Sequence, residues 1–419
     1  MGPVPGRTGV FHNDGGRVNY LLIPRHPGEF HATNNEVALQ ARQHAQLVKS
    51  CTSGTDLVHL RHVNRAIGFE QDPQAEAANT LARAFNQGGA FTAADGSVTS
   101  EAQAYALLRA VWSNDPEGFD AAWAWSQAHL LRPDGLCSWL WRGGAVADPS
   151  SATDADTDMA YALLVAGKRW GRPALESAGN HMAQAIWATE VVTVQGRPCA
   201  VAGDWGSKDA VLPINPSYFS PFAYRVFGAV DPGHDWLGLL DAGYELIDSA
   251  ARAPLGGAAS AGLPPDWIGL DRTSGALVAL SLPGKNTTQY SFDAARTFWR
   301  VALDDRWAND GRGAAFLQRA QFLGEEVGRK GTVSAAYAHD GSVVLAPPST
   351  VSVAGALAAL MTIDGTKADA LYWGSIVGAA TPGPHGSTWG DPADLYAQEW
   401  AWFAAAFYNN TLPDLWAAP

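Results

Sequence analysis

The chain has 419 residues, of which 16% are charged, with 41 Asp and Glu against 28 Lys and Arg for a formal net charge of -13. That negative excess repels a phosphate backbone and excludes nucleic acid as a partner. The sequence holds no apolar run long enough to span a bilayer, and its cysteines, Cys51, Cys137 and Cys199, are too widely spaced for a metal knuckle and allow at most one bridge.

Residues 1–33 mix Gly, Pro and His without a sustained period and are expected to form an irregular arm. The start, Met1 to Arg7, lacks the apolar stretch of a signal peptide. A helix is predicted from Asn35 to Ser50 and a second from Gln74 to Phe85, the latter behind the start signal Asp72-Pro73. His59 and His62 have no further ligands near them in sequence, so no zinc site is expected.

From about residue 100 onward, apolar stripes recur at helical spacing. They comprise Tyr105, Leu108, Val111 and Trp112; Met159, Leu163, Ala166 and Trp170; and Leu175, Ala178, Met182 and Ile186. They continue in Leu237, Leu240, Tyr244 and Ile247, in Phe316, Ala320, Leu323 and Val327, and in Tyr396, Trp400, Phe403 and Phe407. Loops dense in Gly, Pro, Asp and Trp separate these helices. Helix pairs whose loops collect acids and aromatics point to a helical toroid with a binding groove at one end.

Three acidic segments can carry chemistry. In Ser100-Glu101-Ala102, Ser100 is read as the N-cap and Glu101 falls in the first turn, where it is equally placed to complement the helix dipole. In Thr153-Asp154-Ala155-Asp156-Thr157-Asp158, the alternating acids resemble a calcium loop, but Met159 and Val165 stand where that loop needs Gly and Glu, so no metal is expected. In Phe292-Asp293-Ala294-Ala295-Arg296, a helix starting near Phe292 sets Arg296 one turn after Asp293, where it holds that carboxylate ionised, as a structural ion pair or as support for a base. No nucleophile elbow, phosphate loop or dinucleotide fingerprint occurs, which leaves carboxylate chemistry without a cofactor.

The segment from Ala152 to Trp170 resembles the signature of glycoside hydrolase family 8 throughout, an Ala-Thr-Asp-Ala-Asp run followed by Met159-Ala160 and ending in a Trp. Ser100-Glu101-Ala102, Asn215-Pro216-Ser217-Tyr218, Pro265-Asp266-Trp267, the stretch from Tyr290 to Arg300 and Gln398-Glu399-Trp400 extend the similarity from about residue 80 to the C-terminus. The resemblance implies an all-α (α/α)6 barrel with an open substrate cleft over residues 71–419, preceded by an arm and helix of unassigned role over residues 1–70.

It further implies an inverting endo-β-1,4-glucanase, with Glu101 as general acid, Asp293 as general base and Asp154 holding the sugar at the cleavage point. Tyr218 lines the same place and Arg296 keeps Asp293 charged. Trp141 and Trp205 are candidate stacking platforms on cleft loops, Trp139 a weaker one. Proximity to Asp154 is expected to raise the Glu101 pKa by like-charge repulsion. The implied partner is a β-linked polysaccharide, cellulose or mixed-linkage glucan, with xylan the nearest competitor. The protein is expected to act as a monomer, secreted or periplasmic, without a membrane partner. Ala102, Phe292 and Phe298 depart from the family pattern. The Asp at 293 disfavours chitosan, since the chitosanase-rich branch carries Asn there. A noncatalytic accessory protein of exopolysaccharide synthesis, or a polysaccharide lyase on a similar barrel, are the alternatives from other classes.

Overall fold

The computed structural model describes residues 7–14, 17–24 and 72–417, apart from 256, 258 and 283–285. The chain divides into two compact units, Met1–Asp72 and Pro73–Pro419. In the first, strand β1 (Arg7–Asp14) pairs antiparallel with β2 (Arg17–Pro24), Arg7 opposite Pro24 and Asp14 opposite Arg17. The stretch expected to be an irregular arm therefore contains a hairpin. Its two strands are joined in sequence by Gly15-Gly16, a dipeptide that favours two-residue hairpin loops. The helix expected over Asn35 to Ser50, together with Cys51, His59 and His62, lies outside the described residues.

The second unit is a ring of helices. Six inner helices succeed one another around it: α2 (Ser100–Ser113), α4 (Thr153–Trp170), α6 (Pro221–Val230), α8 (Ala295–Ala308), α11 (Thr350–Ile363) and α13 (Leu395–Tyr408). Each packs against the next, and α13 returns to α2, so the ring closes. Between them the chain runs back through outer helices α1 (Pro73–Thr80), α3 (Pro116–His129), α5 (Pro173–Glu190) and α7 (Trp236–Arg252), then the broken pair α9 (Arg312–Leu317) and α10 (Gln321–Lys330), and α12 (Gly365–Leu371). This is the expected (α/α)6 architecture.

Local chemistry starts these helices where it is needed. The Thr99 hydroxyl accepts from the Ala102 amide, so Thr99 caps α2 and Ser100 is its first helical residue, one position earlier than the sequence suggested. Pro116, Pro173 and Pro221 open α3, α5 and α6, where a missing N–H costs nothing. Ser349 and Ser352 cap α11 reciprocally. Inner and outer helices differ in burial as their positions demand. Helix α11 is buried from Val351 through Leu360 on every face, whereas α7 buries one stripe of Trp236, Leu239, Leu240, Tyr244 and Ile247. Leu237, assigned to that stripe from spacing alone, is 55% exposed; Trp236 takes the inward position.

Two three-stranded sheets decorate the ring. Strand β3 (Val98–Thr99) pairs with β4 (Leu140–Arg142), which pairs with β5 (Ala145–Asp148), and the first runs directly into α2. Strand β6 (Val211–Ile214) pairs with β7 (Ile268–Asp271), and β7 with β8 (Leu277–Val278), over an apolar cluster that includes Val194, Cys199, Val201 and Leu212. Cys137 and Cys199 are both buried and free.

Candidate active site

Glu101, Asp154 and Arg296 occupy the first turns of the inner helices α2, α4 and α8, and Asp293 lies two residues before α8. Alternation with the outer helices brings these N-termini to one end of the ring. Their partial positive charges therefore face a shared site, which favours carboxylates there. The sequence-predicted acids meet at Arg296. Its side chain is almost fully buried and donates through Nη1 to Glu101 Oε1 and, at 2.9 Å, to Asp154 Oδ2. Through Nη2 it reaches Asp293 Oδ1 at 2.8 Å. Arg296 thus holds all three acids, not Asp293 alone.

The remaining contacts decide what each carboxyl can do. Tyr105, on the same face of α2, donates to Glu101 Oε1 at 3.1 Å. With two donors on Oε1, a proton on Glu101 belongs on Oε2, the oxygen left to face a ligand. Burial raises the Glu101 pKa to about 7, with Asp154 and Asp293 adding to the rise and Arg296 and Tyr105 opposing it. Burial is thus the larger cause and like-charge repulsion the smaller, the reverse of the expected emphasis. Glu101 still keeps 29% of its side chain exposed, and Asp293 31%, so both remain accessible.

Asp154 is more enclosed, with Oδ1 on the Ala155 amide at 2.9 Å, and burial raises its pKa against the pull of Arg296 and Arg300. One turn deeper, Asp158 takes Arg300 through both oxygens at 2.5 and 2.6 Å. The spacing of four in both helices therefore builds a two-rung ion-pair ladder between α4 and α8. Asp156 faces the other way and accepts from the Cys137 amide at 2.8 Å.

Aromatic side chains wall the site. Arg296 lies 5.5 Å from the Tyr218 ring, and Tyr218 meets Trp267 edge-on at 5.8 Å. Trp205, 44% exposed on the turn Asp204–Gly206, stands 6.4 Å from Trp267. Trp141 is not part of this group. It projects from β4, partly buried, with Trp125 and His129 against it at 5.9 and 4.8 Å. Trp139 is the more exposed of the two, and its carbonyl accepts from the Ser100 amide beside Glu101.

Trp267 was quoted in sequence only as part of a motif, yet its indole Nε1 donates to Asp293 Oδ2 at 2.9 Å. Tyr396, read as one member of an apolar stripe, donates to the Phe292 carbonyl at 3.0 Å. Asp293 also lines a cavity of about 260 Å³ with Asp266, Trp267, Gln289, Ser291 and Phe292. A larger, mainly apolar cavity of about 310 Å³ lies behind Tyr218 among Cys199, Phe219, Tyr224 and Leu270, and it offers no acid–base pair. No cluster of metal-ligating side chains occurs among the described residues.

A buried cation bridging one protonatable, half-open carboxyl and two further carboxyls can deliver a proton on one side of a bound bond and accept one on the other. Comparison with known proteins bears on this arrangement. The model for glycosyl hydrolases family 8 matches residues 90–370. An endoglucanase of Xanthomonas axonopodis pv. citri (strain 306) is 35% identical over 49% of this chain and 53% of its own length. An endoglucanase of Cellulomonas uda is 34% identical over 48% and 55%. The chain therefore spans about half the length of these curated relatives.

Among solved structures, an endo-beta-1,4-glucanase from Acetobacter xylinum superposes with a TM-score of 0.62 at 20% identity, covering 81% of this chain and 99% of that one. A beta-1,3-1,4-glucanase from Paenibacillus sp. X4 gives 0.69 at 23% identity, covering 80% and 90%. These likenesses show the fold.

Proposed function

Since the chain belongs to family 8 of the glycosyl hydrolases, we propose that it is an inverting endo-β-1,4-glucanase acting on cellulose or mixed-linkage β-glucan. The observation that carries this reading is the contact of the single buried Arg296 with Glu101, Asp154 and Asp293. Glu101, protonated near neutrality, gives its proton to the leaving glycosidic oxygen. Asp293 takes a proton from the water that attacks the anomeric carbon from the opposite face. Asp154 holds hydroxyls of the sugar at the cleavage point, with Tyr218 beside it.

Inversion needs a water between base and sugar, which sets the two carboxyls roughly 6.5 to 9.5 Å apart. Contact of both with one guanidinium limits their nearest oxygens to about 8 Å, the width of that group plus two hydrogen bonds. Exposed Trp205 offers a face on which a glucose ring can stack, with Trp141 further out on β4. A polymeric substrate stays outside the cell, which favours a secreted or periplasmic enzyme, and no helix among the described residues is long and apolar enough to cross a membrane. The proposed catalytic unit is the ring from Pro73 onward, acting as a monomer.

Digestion of barley β-glucan, carboxymethylcellulose, xylan and chitosan, with Asp293→Asn as control, tests the proposal. Reducing ends are expected from β-glucan with the parent and not with the variant; no release from any substrate overturns it. Proton NMR of the first product should show the α-anomer, and an initial β-anomer overturns the roles of Glu101 and Asp293.

A further inference from the structure

Asp293 is tied down on more sides than an ion pair with Arg296 requires. The turn that carries it, Ser291 to Ala294, precedes α8 and gives its carbonyls to the helix, Ser291 accepting from the Ala295 amide at 3.1 Å and Asp293 from the Arg296 amide at 3.1 Å, but the Ser291 and Ala294 amides need acceptors from outside the helix. Asp266 supplies them from a distant stretch of chain. Its Oδ1 accepts from the Ser291 amide at 3.0 Å and from the Ala294 amide at 2.8 Å, the two residues flanking Phe292 and Asp293. Its Oδ2 accepts from the Ser291 hydroxyl and, at 3.3 Å, from Gln289 Nε2. The next residue, Trp267, donates its indole N–H to Asp293 Oδ2 at 2.9 Å while Arg296 holds Oδ1. Tyr396 fixes the Phe292 carbonyl from α13.

We propose that Asp266 and Trp267 form the positioning unit for the base, Asp266 by holding the turn and Trp267 by fixing the rotation of the Asp293 carboxylate. The inference rests on Asp293 being the base of the proposed reaction. With one oxygen on Arg296 and the other on Trp267, the carboxylate plane is set by two donors from different elements. A free lone pair then points at a constant angle towards the attacking water. Misplacement of a reacting group by about 1 Å can cost on the order of 100-fold in rate, so a base on a turn whose amides lie outside the helix needs such an anchor. Asp266 is itself buried, and burial lifts its pKa to about 7, with the nearby charge of Asp293 contributing.

Asp293 is faced by Arg296 on its own turn, Glu101 from α2, Asp154 from α4, Tyr218, Tyr396 from α13, and the Asp266-Trp267 pair. Of these, Trp267 supplies a neutral donor directly to the carboxylate. Its removal therefore raises the proton affinity of Asp293 without altering the charge of the site.

The test uses the full chain labelled with carboxyl-¹³C aspartate, the Asp293 signal being assigned by its loss in Asp293→Asn. In Trp267→Phe the Asp293 titration midpoint should rise by about 0.5 to 1 pH unit, with the acidic limb of kcat/KM on β-glucan moving the same way. kcat should fall about tenfold and KM by less than threefold. Because both flanking amides sit on one oxygen of Asp266, Asp266→Asn should retain most of kcat, whereas Asp266→Ala should lose roughly 100-fold. An unmoved midpoint in Trp267→Phe, or an Asp266→Asn variant as impaired as the Ala variant with near-ultraviolet circular dichroism unchanged, overturns the proposal. The NMR midpoint needs no substrate, so inactivity of the parent on every glucan would count against the proposed function and leave this measurement decisive.

Discussion

Replacing Glu101 by Gln keeps an oxygen for Arg296 and Tyr105 but takes away the transferable proton. The Glu101→Gln variant should lose between about 10²- and 10⁴-fold in kcat, while calorimetry should find cello-oligosaccharide affinity within a few-fold of the parent. Loss of binding together with rate would assign Glu101 to ligand recognition instead. In its proposed role as acid Glu101 works protonated, and burial pushes its pKa up to about 7. The rate should therefore fall as pH rises through that value, and a profile still flat at pH 9 would contradict the assignment. The three acids were legible because the motif around Asp154 fixes many residue types at once. Arg296 was legible only as the neighbour of Asp293, since its other partners, Glu101 and Asp154, lie 195 and 142 positions away and meet it only when the ring closes. Trp267 gave no signal of its hydrogen bond, because an indole N–H has no sequence context that distinguishes a donor from a core ring.

Helices α8 and α11 approach more closely than side chains usually permit. A Cβ on Gly355 would stand 2.2 Å from the Ala295 carbonyl oxygen, at the start of the helix that bears Arg296. Gly355→Ala must push the two helices apart, and is expected to cost about 1 to 3 kcal/mol of stability by urea denaturation and to lower kcat although it touches no acid. An unchanged midpoint would mean the helices relax without strain. The ladder between α4 and α8 is equally exacting, for removing one member of a buried pair typically costs about 3 to 5 kcal/mol. Asp158→Ala should approach that figure because Arg300 would be left buried without its partner. Helices with one apolar face, such as α5 and α7, were readable from spacing. Helix α11 was not, because a helix buried all round shows no stripe against a polar background. The hairpin β1–β2 was missed for the opposite reason: Gly and Pro around short strands read as loop.

Closure of the ring was the least legible feature, since the sequence shows no internal repeat and only the return of α13 to α2 establishes it. The closed ring and the loops that cover it bury acids, and burial raises their pKa values. Burial lifts Glu190 and Glu399 to about 8, and Asp266 and Glu101 to about 7. Each is raised above its unfolded value near 4. Their contribution to stability is complete below about pH 4 and is lost as pH climbs towards about 8, because the unfolded chain ionises first. The urea midpoint should therefore be lower at pH 8 than at pH 5, and Glu190→Gln should narrow the gap; a midpoint that rises over this range would refute the reading. The same surplus of acid reaches the cleft. Three carboxyls, Glu101, Asp154 and Asp293, gather on the one guanidinium of Arg296, in a molecule whose overall charge is already -13. In the proposed glucanase such a floor should act as an ionic sieve, repelling glycans that bear carboxymethyl or uronate groups as they dock and admitting neutral chains. Added sodium chloride, by shortening the reach of that repulsion to about a Debye length of 10 Å at 0.1 M, should speed cleavage of the charged polymers and leave the neutral ones unchanged.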